Sequence, residues 1–526
     1  MKRALLVLAA CGDNIVIEPE CPAGTVPSIE GACETPGVPA TQCALGFAHD
    51  GDAGCAPILP AARCPAGTLA LLGDTECRPI GSCGTGTWGD IPVDATTIYV
   101  DASYTGTDAD GTREKPYPRL QYAFDIAPYH ALIAIAAGTY AETFYLYRPV
   151  RVWGVCAERV VLANTFVFPN ENGTTLTLYP QASETELHGF SLGGATNLGT
   201  GIVVDGASQI VIDHVWFRDT LSAGLVLRNS YFGAQADVTV RASLFERGIQ
   251  QQGERLDLAD VVVRGEGIVA NNGGTFGRRA FLQIKSSVIE DNTDAGISLT
   301  ASDAVIDAVV VRGTEPRFDG YGSGIAITNG STATVTRSVL EANHDAGVRV
   351  GVGSQATLDA LVVRGTRQRA LERKAGHGIA ISGCPADAAC NAALRTQAIV
   401  RQSLIEDNQE AGISVTGADA TIDRVLVRKT LLGSNGVVGD GILVLDDGIV
   451  ATATITRTRS DDNVRAGLAS FGGSVTLGAN VLACNSYDLN AAYSELLDLG
   501  ANRCGCDAFA ACIATRDDLD VPTRSW

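Results

Sequence analysis

The carboxylates that could hold a metal ion are concentrated in one short loop near the start of the repetitive region. Asp108, Asp110 and Glu114 lie close together along the chain, and carboxylate oxygens are the ligands that calcium prefers. The loop lacks the full ligand spacing of a calcium-binding loop. It therefore predicts either a weak calcium site or a capping turn, and the sequence indicates no other cofactor.

The basic side chains that could bind an anion are concentrated in one lengthened loop, which contains Arg367, Arg369, Arg373 and Lys374. Over all 526 residues, 39 Lys and Arg are outnumbered by 59 Asp and Glu, so the formal net charge is −20. Such a surface repels phosphate backbones and anionic headgroups, and we expect no nucleic-acid partner. Extended loops of repeat proteins often form the binding face. This loop is either a binding loop or a solvated one.

Two short motifs raise the possibility of glycoside hydrolysis. Gly376-His377-Gly378 resembles the Gly-His-Gly of polygalacturonases, and Asp461-Asp462 resembles the acid pair of that family. The family places its acid pair before the His, whereas here the pair follows it. An inverting hydrolase also needs two carboxyl groups roughly 6.5–9.5 Å apart, which pieces several repeats apart cannot supply. The sequence therefore names no catalytic residue and favours a protein that is not an enzyme.

The cysteines predict a disulfide-stapled N-terminal segment. Three repeated units in a Pro- and Gly-rich stretch contain the pairs Cys21 and Cys33, Cys43 and Cys55, and Cys64 and Cys77. A segment this short and polar cannot bury much core, so disulfides must hold it. We expect each unit to pair its own two cysteines, although the sequence leaves the connectivity open. Zinc is the alternative, but no Cys-x-x-Cys motif supports it.

Further cysteines are expected to close loops and caps. Cys384 and Cys390 bracket an insertion and predict a disulfide-closed loop. Cys83 and Cys156 could link the N-terminal segment to the repeats. The last four cysteines, Cys484, Cys504, Cys506 and Cys512, are expected to staple the C-terminal end.

A repeat of short apolar strands determines the fold class. From about Ile98 onward, alternating apolar stretches are separated by Gly, Asn or Asp turns, and two kinds of coil alternate along the chain. Each coil has three short strands, and coils of this kind stacked about 4.8 Å apart predict an all-β, right-handed parallel β-helix. The apolar spacing between Arg119 and Ala127 predicts a short amphipathic helix that caps the open end.

The last strand of each coil ends in a charge whose sign alternates from coil to coil. The series is Arg218, Glu246, Arg264, Glu290, Arg312, Glu341, Arg364, Glu406, Arg428 and Asp461. We expect a structural charge ladder on one exposed outer face, in which each exposed pair contributes about 0.2–1 kcal/mol. Asn292, Asn343, Asn408 and Asn463 follow the acidic positions. Since Asn tolerates left-handed backbone, we expect these residues to form the coil corners.

The first eleven residues resemble the leader of a bacterial lipoprotein. Lys2 and Arg3 precede an apolar stretch, and Leu8-Ala9-Ala10-Cys11 resembles a lipobox. The resemblance implies that Cys11 is the diacylated first residue of an exported protein, whose contact with a membrane is through that anchor alone. A free cysteine after a short apolar start is the alternative.

The complete pattern resembles the β-helix cell-envelope lipoproteins of Gram-negative bacteria, notably myxobacteria, which have the pectin-lyase-like fold. The resemblance rests on the Cys-rich start, the stretch 83–92 and the repeats. It implies an outer-membrane or cell-surface location and, weakly, a polysaccharide or envelope-protein partner. We expect a non-catalytic binding surface; the alternative is a polysaccharide lyase, hydrolase or epimerase. The predicted segments are leader 1–11, Cys-rich segment 12–88, cap and first coil 89–150, coils 151–485 and C-terminal cap 486–526.

Overall fold

Three long β-sheets surround a common axis in the computed structural model, which confirms the right-handed parallel β-helix. The residues that the structure describes are 21–22, 25–27, 32–164, 173–193, 199–230, 234–248, 266–271, 279–316, 321–369, 375–384, 395–434, 436–506, 508–516 and 519–522. From Phe144 to Cys504, each coil contributes one strand to each of three sheets, named A, B and C in that order along the chain.

Sheet A has thirteen parallel strands. They are Phe144–Leu146, Gly173–Leu178, Gly199–Asp205, Ala223–Arg228, Glu266–Asn271, Asp294–Thr300, Gly322–Thr328, Ala346–Gly351, His377–Ser382, Ala411–Thr416, Asp440–Leu445, Ala466–Phe471 and Tyr487–Ala492.

Sheet B has fifteen parallel strands. They are Ile98–Val100, Leu132–Ile135, Arg151–Gly154, Glu186–His188, Ile210–Asp213, Asp237–Arg241, Phe281–Lys285, Asp303–Asp307, Thr332–Thr336, Gln355–Asp359, Gln397–Arg401, Asp419–Asp423, Thr452–Thr456, Ser474–Gly478 and Glu495–Asp498.

Sheet C also has fifteen strands, and its last strand is antiparallel to the one before it. They are Gly138–Ala141, Val160–Ala163, Ser191–Gly193, Trp216–Arg218, Leu244–Glu246, Val288–Glu290, Val310–Arg312, Val339–Glu341, Val362–Arg364, Leu404–Glu406, Leu426–Arg428, Arg459–Asp461, Val481–Ala483, Arg503–Cys504 and Ala510–Ala511.

The interior of the solenoid is one continuous apolar core. Inward side chains of the three sheets, such as Ile297, Ile306 and Val311, are completely buried. The predicted cap is present as an α-helix, Leu120–Ile126, whose buried Leu120 and Phe124 close the N-terminal end of the core. One-turn 3₁₀ helices occur at Ala40–Gln42 and Pro180–Ala182. In the part of the chain that the structure describes, no helix has the length and apolarity needed to span a bilayer.

The N-terminal segment forms three disulfide-closed β-hairpins. The disulfides Cys21–Cys33, Cys43–Cys55 and Cys64–Cys77 have the predicted pairing. The paired strands are Val26–Pro27 with Cys33–Glu34, Phe47–His49 with Cys55–Pro57, and Thr68–Leu69 with Arg78–Pro79. We call the described residues from Cys21 to Cys83 the N-terminal strap, because they lie along the whole of sheet C.

The direction of the strap is opposite to the direction in which the coils are stacked. Its first hairpin packs Val26 against Val481 near the C-terminal end of sheet C. Its second hairpin places Asp50 3.0 Å from Arg428, and farther along Arg63 lies 2.6 Å from Asp291. A disulfide from Cys83 to Cys156 then fastens it at the N-terminal end. The Cys-rich segment is therefore a cover for sheet C and not a separately packed unit.

An apolar row on the outside of sheet C explains why the strap binds there. These outward residues are Trp216, Leu244, Val288, Val310, Val339, Val362, Leu404 and Leu426. They share one buried cluster with Phe47, Leu69 and Ile80 of the strap. Since burial of each aliphatic side chain contributes about 1.5–3 kcal/mol, this row attaches the strap independently of its disulfides.

The C-terminal end is closed by a disulfide-bonded cap. Cys484–Cys506 and Cys504–Cys512 join the last coils to the segment that follows. Thr515 forms an isolated bridge with Asn490 at the edge of sheet A. The predicted staple of this end is confirmed.

Candidate functional site

The outward face of sheet B carries an array of mostly polar, uncharged side chains in register. Thr334, Thr357, Ile399, Thr421 and Thr454 occupy the same outward position of five consecutive strands. Parallel pairing repeats this position about every 4.8 Å along the axis. The alternation of the strands places their Ala, Val, Leu and Ile residues in the core and these side chains outside.

These strands form a shallow trough with a volume of about 430 Å³. A second outward row is contributed by the first residue of each strand, including the exposed amides of Gln355 and Gln397. Ile399 is 44% exposed and provides the apolar surface in the middle. The outward lining is Thr332, Thr334, Gln355, Thr357, Gln397, Ile399, Asp419, Thr421, Thr452 and Thr454.

Paired charges border the trough where its strands begin. Asp303 lies 2.9 Å from Arg279. Asp419, which also lines the trough, accepts a hydrogen bond from Nε of Arg395 at 3.1 Å. The carboxylates on this border are therefore already bound to guanidinium groups.

Similar pairs border the trough where its strands end, at Asp307–Arg337, Asp359–Arg401 and Asp423–Arg457, with N···O distances of 2.5, 3.1 and 2.7 Å. Burial opposes ionisation of Asp307, but hydrogen bonds from Arg337 and Thr336 outweigh it and hold the pKa of Asp307 below its usual range. The trough is thus bordered by carboxylates that are paired with arginines, with neutral hydrogen-bonding groups between them.

The outer face of sheet C is covered along most of its length, and that of sheet A is covered near its C-terminal end. The strap lies on sheet C. Near the C-terminal end of sheet A, outward Leu443 and Phe471 pack with Val438 from a loop and with Leu519 from the C-terminal segment. The trough of sheet B, by contrast, is open to solvent.

The predicted calcium ligands Asp108 and Asp110 make contacts within their own turn. Asp108 lies 2.8 Å from Nζ of Lys115 and accepts a hydrogen bond from Tyr104, and these contacts lower its pKa. Asp110 accepts hydrogen bonds from the backbone and hydroxyl of Thr112. Asp108, Asp110 and Glu114 do not form a three-ligand group.

One such group occurs among the described residues. Cys83, Cys156 and Glu158 have donor atoms within 4.8 Å of one another. The two sulfurs are already joined in a disulfide, which removes the thiolates that a metal would need.

The predicted basic loop is partly turned into the protein. Nε of Arg369 lies 3.4 Å from Asp345, and its guanidinium lies 5.4 Å from the ring centre of Tyr321. Arg367 is exposed, but it donates a hydrogen bond to the carbonyl of Asp407. The prediction of one solvent-facing basic patch is wrong for Arg369, which is buried. Arg373 and Lys374 lie outside the described residues.

The second predicted loop is described only at its start. Cys384 is disulfide-bonded, whereas Cys390 lies outside the described residues, as does Cys11.

The charge ladder contains close ion pairs, and their burial differs along the ladder. Arg312–Glu290, Arg364–Glu341 and Arg428–Glu406 have N···O distances of 2.7, 2.5 and 2.8 Å. The side chains of Arg312 and Glu290 are only 9% and 6% exposed. The expectation of an exposed ladder is therefore wrong for this pair, whereas the side chain of Arg364 is 37% exposed.

The alternation of the ladder also fails at one step. Glu246 is paired in register with Glu290, although Arg264 was expected between them. Arg264 lies outside the described residues. Burial raises the pKa of Glu246, and the like charge of Glu290 adds to this effect, while Arg247 opposes it. Trp216 and Arg247 donate hydrogen bonds to the carboxylate and partly compensate for the missing cation.

The recurrent asparagines have a different role from the one expected. The left-handed residue at the corner is Ala342, with φ of 53°, and not Asn343. The buried amide of Asn343 accepts a hydrogen bond from the backbone of Thr314 and donates one to the carbonyl of Val311, both at 3.1 Å. The asparagines therefore connect neighbouring coils from inside.

A row of buried charged groups lies at the start of the sheet A strands. Asp345 is fully buried and accepts hydrogen bonds from Ser323 and Arg349. One coil pair farther on, Glu410 lies 3.4 Å from His377. These carboxylates are paired and inaccessible to a substrate.

The hydrolase-like motifs do not meet. His377 begins a strand of sheet A, whereas Asp461 ends a strand of sheet C. Burial raises the pKa of Asp461 to about 7 despite its contact with Arg459. The structure therefore does not bring these two motifs together into a polygalacturonase-like site.

Comparisons with known proteins agree with the fold. Residues 323–485 match the family described as the right handed beta helix region. No curated protein matches the chain.

Several solved structures are similar at low identity. The catalytic domain of a GH87 alpha-1,3-glucanase in complex with nigerose is 10% identical, with a TM-score of 0.42, over 80% of this chain and 70% of that one. The A-module of mannuronan C-5 epimerase AlgE6 from Azotobacter vinelandii is 12% identical, with a TM-score of 0.41, over 76% and 95%. The tailspike protein gp49 of Acinetobacter baumannii bacteriophage Fri1 is 10% identical, with a TM-score of 0.36, over 78% and 64%.

The trough has a sequence signal that motif searching overlooked. Two of its strands read Thr-Ala-Thr-Val-Thr and Thr-Ala-Thr-Ile-Thr, at 332–336 and 452–456. Threonine at every outward position identifies a solvent-facing strand, and its recurrence in register identifies an array. A search for charged and nucleophilic residues overlooks this array, because its threonine and glutamine side chains are not chemically reactive.

Proposed function

We propose that this chain is a non-catalytic surface protein that binds an extended, neutral polysaccharide along the trough of sheet B. The observation that carries the proposal is the open array of hydroxyl and amide side chains on five strands in register. Hydroxyl and amide groups both donate and accept hydrogen bonds, as sugar hydroxyls do. Five strands at about 4.8 Å spacing extend over about 19 Å, which suits several consecutive sugar units parallel to the solenoid axis.

The absence of net charge in the trough supports a neutral ligand. Asp419 is the charged residue of the lining, and Arg395 is bound to it. The exposed Ile399 offers an apolar surface for the C–H face of a sugar ring. An acidic polysaccharide would lack a free cation in this lining and would also meet the net charge of −20.

The paired carboxylates support binding without hydrolysis. A hydrolase needs a protonated acid and a second free carboxylate beside the scissile bond. The carboxylates bordering the trough are instead held by arginines at 2.5–3.1 Å.

The test is the affinity of the full chain for soluble neutral and uronate glycans, measured by calorimetry. Thr357→Lys places a long cation in the trough, and we expect affinity for the best neutral glycan to fall at least about ten-fold, or ~1.4 kcal/mol. Thr239→Lys is the matched control, because Thr239 has the same outward position on a strand beyond the trough. Equal loss in both variants, or tighter binding of uronates than of neutral glycans, would contradict the proposal.

A second candidate function, a polysaccharide lyase or epimerase, is favoured by one cluster. Tyr321 is 45% exposed, and the guanidinium of Arg349 lies 4.2 Å from its ring centre above the buried Asp345. An aromatic ring beside a guanidinium could hold a uronate. Lyase activity would produce unsaturated ends that absorb near 235 nm, so a rise in absorbance with a uronate polymer would select this function instead.

We further propose that the protein is exported and attached to the outer membrane or cell surface through a lipid on Cys11. Six disulfides between described cysteines support an oxidising compartment. The test is the mass of the N-terminal peptide from the native host. A diacylglyceryl group on Cys11, lost with Cys11→Ala, is the expected result, and an unmodified Cys11 would contradict the anchor.

A further inference from the structure

The strap determines where the start of the chain leaves the solenoid. Its first hairpin lies at the C-terminal end of sheet C, where Val26 packs with Val481, Ala483 and the partly buried Phe509. The opposite end of the strap is fixed by the disulfide between Cys83 and Cys156. Cys21, which is joined to Cys33 of this hairpin, therefore lies at the C-terminal end of the solenoid, although it stands near the start of the chain.

The same end of the solenoid exposes large apolar side chains. Tyr493, Leu497, Leu499 and Ile513 are 89%, 58%, 62% and 85% exposed. The last strand of sheet B, Glu495–Asp498, is exposed at all four residues. Isolated surface leucines are ordinary, and the helix-capped end also exposes Tyr129 and Tyr147, at 69% and 54%. The C-terminal group differs because Leu497, Leu499 and Ile513 are aliphatic side chains that are each more than half exposed.

The first strand at the other end is covered. Tyr99 and Val100 of the strand Ile98–Val100 are buried. The backbone of Tyr99 is hydrogen-bonded to Gly111 and to Tyr117, which closes this edge of sheet B. The two ends therefore differ in how far their terminal strand is protected.

We infer that the C-terminal end of the solenoid faces a lipid surface, with Tyr493, Leu497, Leu499 and Ile513 at the interface. This inference rests on the proposed anchor at Cys11. The ten residues from Cys11 to Cys21 can span at most about 35 Å. The fifteen strands of sheet B extend over about 65 Å, so the anchor brings the C-terminal end to the membrane and leaves the helix-capped end distant from it. Apolar side chains at a contact with lipid add affinity through the area that they bury.

The orientation also limits what the trough can reach. Thr454 lies two strands from the end of sheet B and Thr334 six strands from it, which correspond to about 10 and 29 Å at the usual spacing. The trough then lies within about 30 Å of the membrane and runs away from it. Its ligand would be a polymer close to the envelope surface.

Brominated phosphatidylcholine vesicles test the orientation, because bromine in the acyl chains quenches nearby tryptophan. Two single reporters are compared, Tyr493→Trp at the C-terminal end and Tyr129→Trp near the helix cap, each in a chain that also carries Trp526→Phe. Both tyrosines are strongly exposed, at 89% and 69%, so neither replacement disturbs the core. Quenching above the background of the three remaining tryptophans is expected for position 493 and not for position 129. Equal quenching at both positions, or quenching at 129 alone, would overturn the inference.

A second preparation separates the orientation from the anchor. A hexahistidine tag replaces residues 1–11 and binds nickel-chelating lipid, so the chain is attached at the same point without acylation. Quenching at 493 in this preparation supports the orientation even when the native Cys11 proves unmodified, in which case only the anchor proposal fails. No difference between the reporters in the tethered chain contradicts the orientation itself.

A final variant tests contact rather than proximity. Leu497→Ser with Leu499→Ser should keep the melting temperature of the parent, because both residues are exposed, and should reduce the quenching at position 493. Dimerisation of the unanchored chain, seen as a doubled mass in sedimentation equilibrium and abolished by these two substitutions, would overturn lipid as the occupant in favour of a second copy.

Discussion

Sheets B and C belong to the same coils and have the same strand spacing, but the outer face of sheet B is exposed and that of sheet C is buried. In one coil, Thr334 of sheet B faces solvent, whereas Val339 of sheet C lies completely buried beneath the strap. The threonine row forms an open trough, and the valine row binds the protein's own N-terminal segment. The difference shows that in a solenoid the outward residue of each strand decides whether a face stabilises the fold or is available to a ligand.

The largest expected effect comes from placing a charge in each row. Val339→Asp should destabilise the chain by about 4 kcal/mol or more, because an unpaired carboxylate is then buried under the strap. Thr334→Asp in the same coil should change the free energy of unfolding by less than about 0.5 kcal/mol, since the site is a solvent-facing one. Urea unfolding of both variants measures the contrast, and a similar loss in both would show that the strap does not bury sheet C.

Removal of one arginine from each face should have the next largest effect. Arg312→Met leaves Glu290 buried without its partner and should cost about 3 kcal/mol. Arg401→Met breaks the exposed pair with Asp359, whose arginine is 50% exposed, and should cost about 0–1 kcal/mol. Thermal unfolding of the two variants measures the two losses of stability. Equal small losses would mean that the ladder remains hydrated despite the strap.

A smaller and pH-dependent effect is expected at Asp461. Burial raises the pKa of this carboxyl from 3.8 to about 7, and Asp52 of the strap adds repulsion. The folded state therefore holds a proton that the unfolded chain releases. The resulting stabilisation is fully present below about pH 4 and is lost as the pH rises through about 7.

Asp461→Asn removes this titration. The variant should be more stable than the parent at pH 8, by about 2 kcal/mol, and should lose that advantage as the pH falls towards 4. Melting temperatures across this pH range provide the measurement, with Asp359→Asn on sheet B as the control. An advantage that is independent of pH would mean that Asp461 is ionised throughout.

The fold was largely predictable from the sequence, because the same pattern of apolar strands recurs in coil after coil. Alternating residues such as those in 303–307 separate a core face from an outer face without ambiguity. The cap helix and the hairpin disulfides were also predictable from local spacing. These features depend on contacts between residues close in the chain or one repeat apart.

The position of the strap was not predictable in the same way. Arg63 and Asp291 are 228 residues apart in the chain, and no local pattern specifies such a contact. A signal was nevertheless present in the sheet C strands, where Val310 and Val311 are both apolar although the strand can direct only one of them inward. A second apolar row indicates that something covers it, but not what does.

The candidate site was missed for a chemical reason. Motif reasoning selects charged, nucleophilic and metal-binding residues, and in this chain those are mostly used internally, as Asp345 and Arg369 show. The outward lining of the trough is mostly threonine and glutamine, whose significance lies in their register. Recognising it requires the strand pairing and not only the residue types.

The most direct test of the account is hydroxyl-radical footprinting of the full chain with the neutral glycan that binds best. Ile399 in the trough and Tyr321 beside sheet A are 44% and 45% exposed, so both can be oxidised in the free protein. We predict that bound glycan reduces oxidation of Ile399 and leaves Tyr321 unchanged. Protection of Tyr321 with Ile399 unchanged would contradict the account and transfer the binding site to sheet A.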